Sequence, residues 1–99
     1  MEPALHIRWK TLDELETSLR DFQRVYAEEP AQRRELRDAV ILAKDRARYA
    51  SRNPKVSAEK RTAKEEMVQW MLVWLDDPSM FADWVTLRRG QLGRMGAFS

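Results

Sequence analysis

Residues able to do chemistry are few and scattered in this 99-residue chain. There is one histidine, His6, and no cysteine. A metal site needs several His, Cys or carboxylate ligands converging on one point, and without cysteine neither a thiolate nucleophile nor a disulfide can be built. Carboxylates come in adjacent pairs, Glu28-Glu29, Glu65-Glu66 and Asp76-Asp77. Neighbouring residues on a helix point about 100° apart, so these pairs diverge and read as solvated faces and helix-end charges. No glycine-rich phosphate loop, nucleophile elbow or metalloprotease motif occurs. Gly90, Gly93 and Gly96 follow a helical stretch, whereas a phosphate cradle precedes one. The expectation is a protein that is not an enzyme and carries no cofactor or metal.

Charge is the next chemical feature. The formal net charge is only +2, yet residues 33–64 hold eleven Lys/Arg against four Asp/Glu, while the remainder holds seven against twelve. Within that basic segment Arg33, Arg37, Lys44, Arg48 and Arg52 fall along one flank of a helix. Such a stripe suits phosphate backbones or an acidic protein partner. The polar residues His6, Arg8 and Lys10, which alternate with Leu5, Ile7 and Trp9, are the alternative candidates for nucleic-acid contact.

The third feature is bulk. Four Trp and five Met are a heavy load for so short a chain, and most of it is crowded between Met67 and Leu87. Met67, Trp70, Met71, Trp74, Phe81 and Trp84 are the candidate interaction surface: a thin single domain has little core to hide them in, and excess apolar area closes most often by two-fold self-association. A homodimer is therefore expected.

The elements that carry these residues follow from the spacing, which predicts an all-α chain. The expected form is a small antiparallel bundle of three long helices and a short C-terminal one, preceded by an extended N-terminal segment. Residues 1–90 form the single domain, with 1–10 as an extended arm or strand. Thr11 with Glu14 makes a capping box, after which Leu12, Leu15, Leu19, Phe22 and Tyr26 recur at helical spacing over roughly 12–28. Glu29-Pro30 breaks that helix. Leu36, Ala39, Val40, Ala43, Ala47 and Ala50 share the inner face of a second helix, roughly 31–50, with Leu42 and Tyr49 on another flank. Ser57 caps a third, roughly 58–76, charged in its first half and apolar in its second. Asp77-Pro78 opens a fourth helix whose apolar side is Met80, Phe81, Trp84, Val85 and Leu87. Gly90 is expected to stop it, leaving residues 91–99 as a flexible tail.

The alternation Leu5-His6-Ile7-Arg8-Trp9-Lys10 is the period of a half-buried strand. Followed by helix, break and helix, it resembles the ribbon-helix-helix repressors over residues 4–50. That resemblance implies N-terminal strands paired across a dimer, Leu5, Ile7 and Trp9 inward, and His6, Arg8 and Lys10 reading bases in the major groove. The first helix is longer than that family's, and the Glu28-Glu29-Pro30 turn lacks its usual phosphate-binding cap.

No apolar run approaches the roughly 18 residues of a membrane span, and the first ten residues lack a signal-peptide core. With no cysteine, a reducing cytoplasm is the expected compartment. A helical interaction protein is thus the leading expectation and nucleic-acid binding the alternative.

Overall fold

Four α-helices account for most of the chain in the computed structural model, which describes residues 6–94. They are α1 (Leu12–Glu28), α2 (Arg33–Ser51), α3 (Ala58–Asp76) and α4 (Phe81–Arg94), with single 3-10 turns at Pro30–Gln32 and Pro78–Met80 leading into α2 and α4. No strand occurs among the described residues.

Helix starts follow the local chemistry. Thr11 Oγ1 accepts the Glu14 backbone N–H at 3.1 Å and Ser57 Oγ accepts that of Lys60 at 3.2 Å, each satisfying one of the donors a helix leaves unpaired at its first turn. Asp77 Oδ1 accepts from the Ser79 backbone and hydroxyl, setting the turn that Pro78 begins. Before Pro30, Glu29 sits at φ −125°, ψ 82°, outside the helical region as the proline ring requires.

Helix ends are closed by arginines. Arg37, near the start of α2, donates to Leu75 O at the end of α3 (2.8 Å), and Arg61, near the start of α3, donates to Ser51 O at the end of α2 (3.1 Å). The two bonds show that α2 and α3 run in opposite directions. They also place cationic groups on the negative ends of both helices. Arg33 Nε donates to Tyr26 O near the end of α1 at 2.7 Å, its guanidinium carbon 4.9 Å from the Tyr26 ring centroid.

The core runs the length of the molecule. Leu15, Leu19 and Phe22 of α1, Leu36, Val40, Ala43 and Ala47 of α2, and Met67, Val68, Trp70, Met71 and Trp74 of α3 are buried together with Phe81, Val85 and Leu92 of α4. α2 packs chiefly along α3 and also against α1, and its backbone does not come close to that of α4. A radius of gyration of 13.7 Å is that of one folded unit, close to the ~13 Å of a 100-residue domain.

Two expectations are corrected by the structure. First, α4 does not stop at Gly90. It runs on to Arg94, so residues 91–94 are helix rather than tail. Leu92 is buried in the core, and that burial, worth about 1.5–3 kcal/mol for a leucine, outweighs the roughly 1 kcal/mol a helical glycine costs. Residues 95–99 lie outside the described part. Second, Met80 and Leu87 are exposed, not part of the apolar side of α4. Of the arm or strand expected at the N-terminus, no strand occurs at the described residues 6–9. The alternation still governs exposure: Ile7 is buried and Trp9 half-buried, while His6, Arg8 and Lys10 face solvent. Ile7 reaches the core, and the Arg8 backbone N–H donates to Ser18 Oγ of α1 at 3.0 Å. The segment is thus tied to its own chain, and one N–H that a paired ribbon could use is already taken. Leu5 lies outside the described residues.

Candidate functional site

The apolar residues expected to form a contact surface are mostly interior. Trp70, Met71, Trp74 and Phe81 are 0% exposed and Met67 is 2% exposed. Of the set, only Trp84 reaches the surface, half-buried. The reason is geometric. Trp74 stands edge-on to both Phe22 and Tyr26, with centroids 6.4 and 5.6 Å away, and Trp70 stands edge-on to Phe81 and Trp84, both 6.5 Å away. Such pairs pack in the favoured T-shaped manner. Each buried indole also finds an acceptor: Trp74 Nε1 donates to Leu19 O (3.0 Å) and Trp70 Nε1 to Glu66 Oε2 (2.8 Å). The α1–α3–α4 seam therefore encloses the bulk that the sequence suggested would need a second chain.

The Glu65-Glu66 pair splits between two environments. Glu65 is exposed, as expected of a solvated face, but Glu66 is buried. Arg88 of α4 grips Glu66 with two bonds, Nε to Oε2 at 2.6 Å and the terminal nitrogen to Oε1 at 2.7 Å. The hydrogen bonds from Arg88 hold the Glu66 carboxyl below the usual carboxylate range against the opposing effect of burial, and the Arg88 guanidinium is correspondingly held above its ordinary value. Glu66 thus accepts three hydrogen bonds from structural partners, two from Arg88 and one from Trp70, and the pair joins α3 to α4. A signal for it was present: Glu66 is four residues before Trp70, on the inward face of α3.

The basic stripe is divided between packing and solvent. Arg33 and Arg37 are spent on helix-end carbonyls. Lys44 is half-buried and lies 3.3 Å from Asp45. Arg48 and Arg52, with Arg61, line an open hollow of about 550 Å³ at the α2–α3 corner, but Arg61 is bonded to Ser51 O and Val56 O, and Glu65 also lines the hollow. At the other end of the chain, His6, Arg8 and Lys10 are exposed beside Lys64, whose ammonium sits 4.9 Å from the Trp9 ring centroid. Arg48 and Arg52 line one hollow, and His6, Arg8, Lys10 and Lys64 line a different one.

A further hollow of about 520 Å³ lies between the start of α1 and the end of α4, floored by Met67, Trp70 and Leu92. Arg89 lines it, and its guanidinium is held by Asp13 at 2.7 Å and Glu16 at 3.2 Å. Among the described residues no group of three or more His, Asp or Glu could hold a metal ion, and no helix is long and apolar enough to cross a membrane.

The outer pole of α2 carries exposed apolar residues that spacing alone did not distinguish from a packed flank. Leu42 is 51% and Tyr49 81% exposed. Seven residues apart, they lie within about 20° of each other on the helix and opposite the buried Val40. Glu35, Asp38, Asp45 and Arg46 surround them, all exposed. Among the described residues α2 packs against α1 and α3 on its other side, which leaves this pole uncovered.

Compared with known proteins, the chain matches no family model, no curated protein and no solved structure.

Proposed function

We propose that this protein is a non-enzymatic helical interaction module that self-associates, and that its contact surface is the outer pole of α2. The observation that carries the proposal is the exposed pair Leu42 and Tyr49. Single exposed apolar residues are ordinary on a protein surface. A leucine and a tyrosine on one helical line are different, because a partner element laid along that line, a helix with the turn that leads into it, covers both. Tyrosine in particular supplies large contact area with a polar tip and is enriched at interfaces. The packed helices behind α2 act as a rigid platform that needs no rearrangement to present this face. The absence of cysteine suits a reducing compartment, and on that ground the cytoplasm is the proposed location.

The test is mass against concentration by light scattering. The wild-type value is expected to climb from the chain mass of 11.7 kDa toward twice that figure. Tyr49→Asp is expected to hold it at the chain mass with unchanged helix content and melting temperature. A wild-type protein that stays monomeric up to millimolar concentration would overturn the proposal.

A further inference from the structure

We infer that the partner of the α2 face is α2 of a second copy, crossing it antiparallel about a two-fold axis beside Val40, with Arg34 against Asp45 of the second copy and Glu35 against its Arg46. This rests on the reading that the outer pole of α2 is a contact surface, and it names what lies on it.

The charge order along the pole is the source of the inference. Arg34-Glu35 and Asp45-Arg46 are the same two charges in reversed order, eleven residues apart. Eleven residues are three helical turns with about 20° to spare, so Arg34 and Asp45 lie on one edge of the pole and Glu35 and Arg46 on the other. An antiparallel two-fold keeps each residue on its own edge of the seam and reverses its position along the helix. The only partners it can offer Arg34 are therefore on the Asp45 edge, and those for Glu35 on the Arg46 edge. Both edges satisfy that condition with one axis position. The midpoint of residues 34 and 45 falls just before Val40 and that of 35 and 46 just after it, about 1.5 Å apart along the helix, so an axis level with Val40 serves both. Four ion pairs, two of each kind, then form across the seam.

The apolar residues fit the same placement. Leu42 comes level with Asp38 of the second copy, between that side chain and the small Ala39. Tyr49 comes over Pro30 and Ala31 of the second copy, both exposed, at the turn leading into its α2. Asp38, one turn on from Arg34, shares that guanidinium. Within the single chain, Arg34, Glu35 and Arg46 form no salt bridge among the described residues, and Asp45, though 3.3 Å from Lys44, keeps a side chain 61% exposed. These charges are thus available to a partner.

A seam one helix wide falls short of the roughly 1,200 Å² total that a standard interface buries. The dimer is therefore weak, and exposed pairs set its register and exclude wrong partners more than they tighten it.

The experiment uses two full-length variants. One carries Glu35→Arg with Asp45→Arg, making all four positions cationic; the other carries Arg34→Glu with Arg46→Glu, making all four anionic. Each alone is expected to lose self-association, its dissociation constant rising by about tenfold or more from like-charge contacts. An equimolar mixture is expected to regain a dimer mass, since every cross-seam contact is then attractive. Recovery on mixing also shows that both variants are folded. If each variant associates as the wild type does, or the mixture stays monomeric while the wild type dimerises, this register is wrong. Loss of the wild-type dimer in Tyr49→Asp alongside such a result would leave the interaction reading standing and remove only the register. A wild type that never dimerises removes both.

Discussion

Glu66 and Arg88, 22 positions apart in the chain, meet through two charge-assisted bonds of 2.6 and 2.7 Å that tie α3 to α4. The carboxylate side chain is 9% exposed and the guanidinium side chain 29%, so the pair spans from the core to the rim. Glu66 also accepts from Trp70, which makes one carboxylate the hinge of a helix–helix contact and of an indole's position.

Removing Arg88 leaves that carboxylate buried without its cation. Arg88→Ala is expected to destabilise the fold by about 2–3 kcal/mol, below the 3–5 of a fully buried pair because Arg88 is partly solvated. The pair also predicts a pH dependence. The folded carboxyl is held below the ordinary glutamate range, so the unfolded chain binds the proton more readily. The contribution of the pair is full above that ordinary range and is lost as pH falls through the lowered folded value. Urea midpoints measured between neutral and acid pH should fall less steeply in Glu66→Gln than in wild type; parallel slopes would show that the carboxylate is not linked to stability.

Trp74 is fully enclosed and donates to Leu19 O, 55 positions away. Trp74→Phe removes both the bond and part of the ring volume, and is expected to cost about 2–3 kcal/mol. Trp84→Phe, at a half-buried indole, is expected to cost less than about 1 kcal/mol. Chemical denaturation of the two variants checks the contrast, and equal losses would contradict the enclosed placement of Trp74.

The two helical glycines of α4 offer a gain. A Cβ at Gly90 would meet nothing nearer than the Arg94 guanidinium at 3.9 Å, and one at Gly93 would meet nothing within 4 Å. Gly90→Ala and Gly93→Ala are each expected to stabilise by about 0.5–1 kcal/mol, chiefly by restricting the unfolded chain. Leu92→Ala should cost about 2 kcal/mol or more. Melting temperatures that do not change in any of the three would mean that α4 ends before Gly90.

Much of the secondary structure was legible in the residues themselves. Thr11, Ser57 and Asp77 are caps by chemistry, Pro30 and Pro78 restrict the backbone before them, and the spacing of Leu15, Leu19 and Phe22 marks an inner face wherever that helix packs. These are local effects, set by the covalent chain within a turn or two. The end of α4 was not legible, because whether Gly90 breaks a helix depends on what Leu92 can bury against, which is a property of the assembled core. Nor could spacing show that Trp70 and Trp74 would be enclosed. Their apolar surface had to go somewhere, and only the approach of α1 and α4 to α3 decided that it went inward. Glu66 looked like half of a solvated acid pair until Arg88 arrived from another helix. The charge order Arg34-Glu35 and Asp45-Arg46 stood in the sequence from the start. Packing alone determined that this face of α2 is the one left bare, because burial depends on which surfaces meet in space and a linear pattern fixes only which residues share a side.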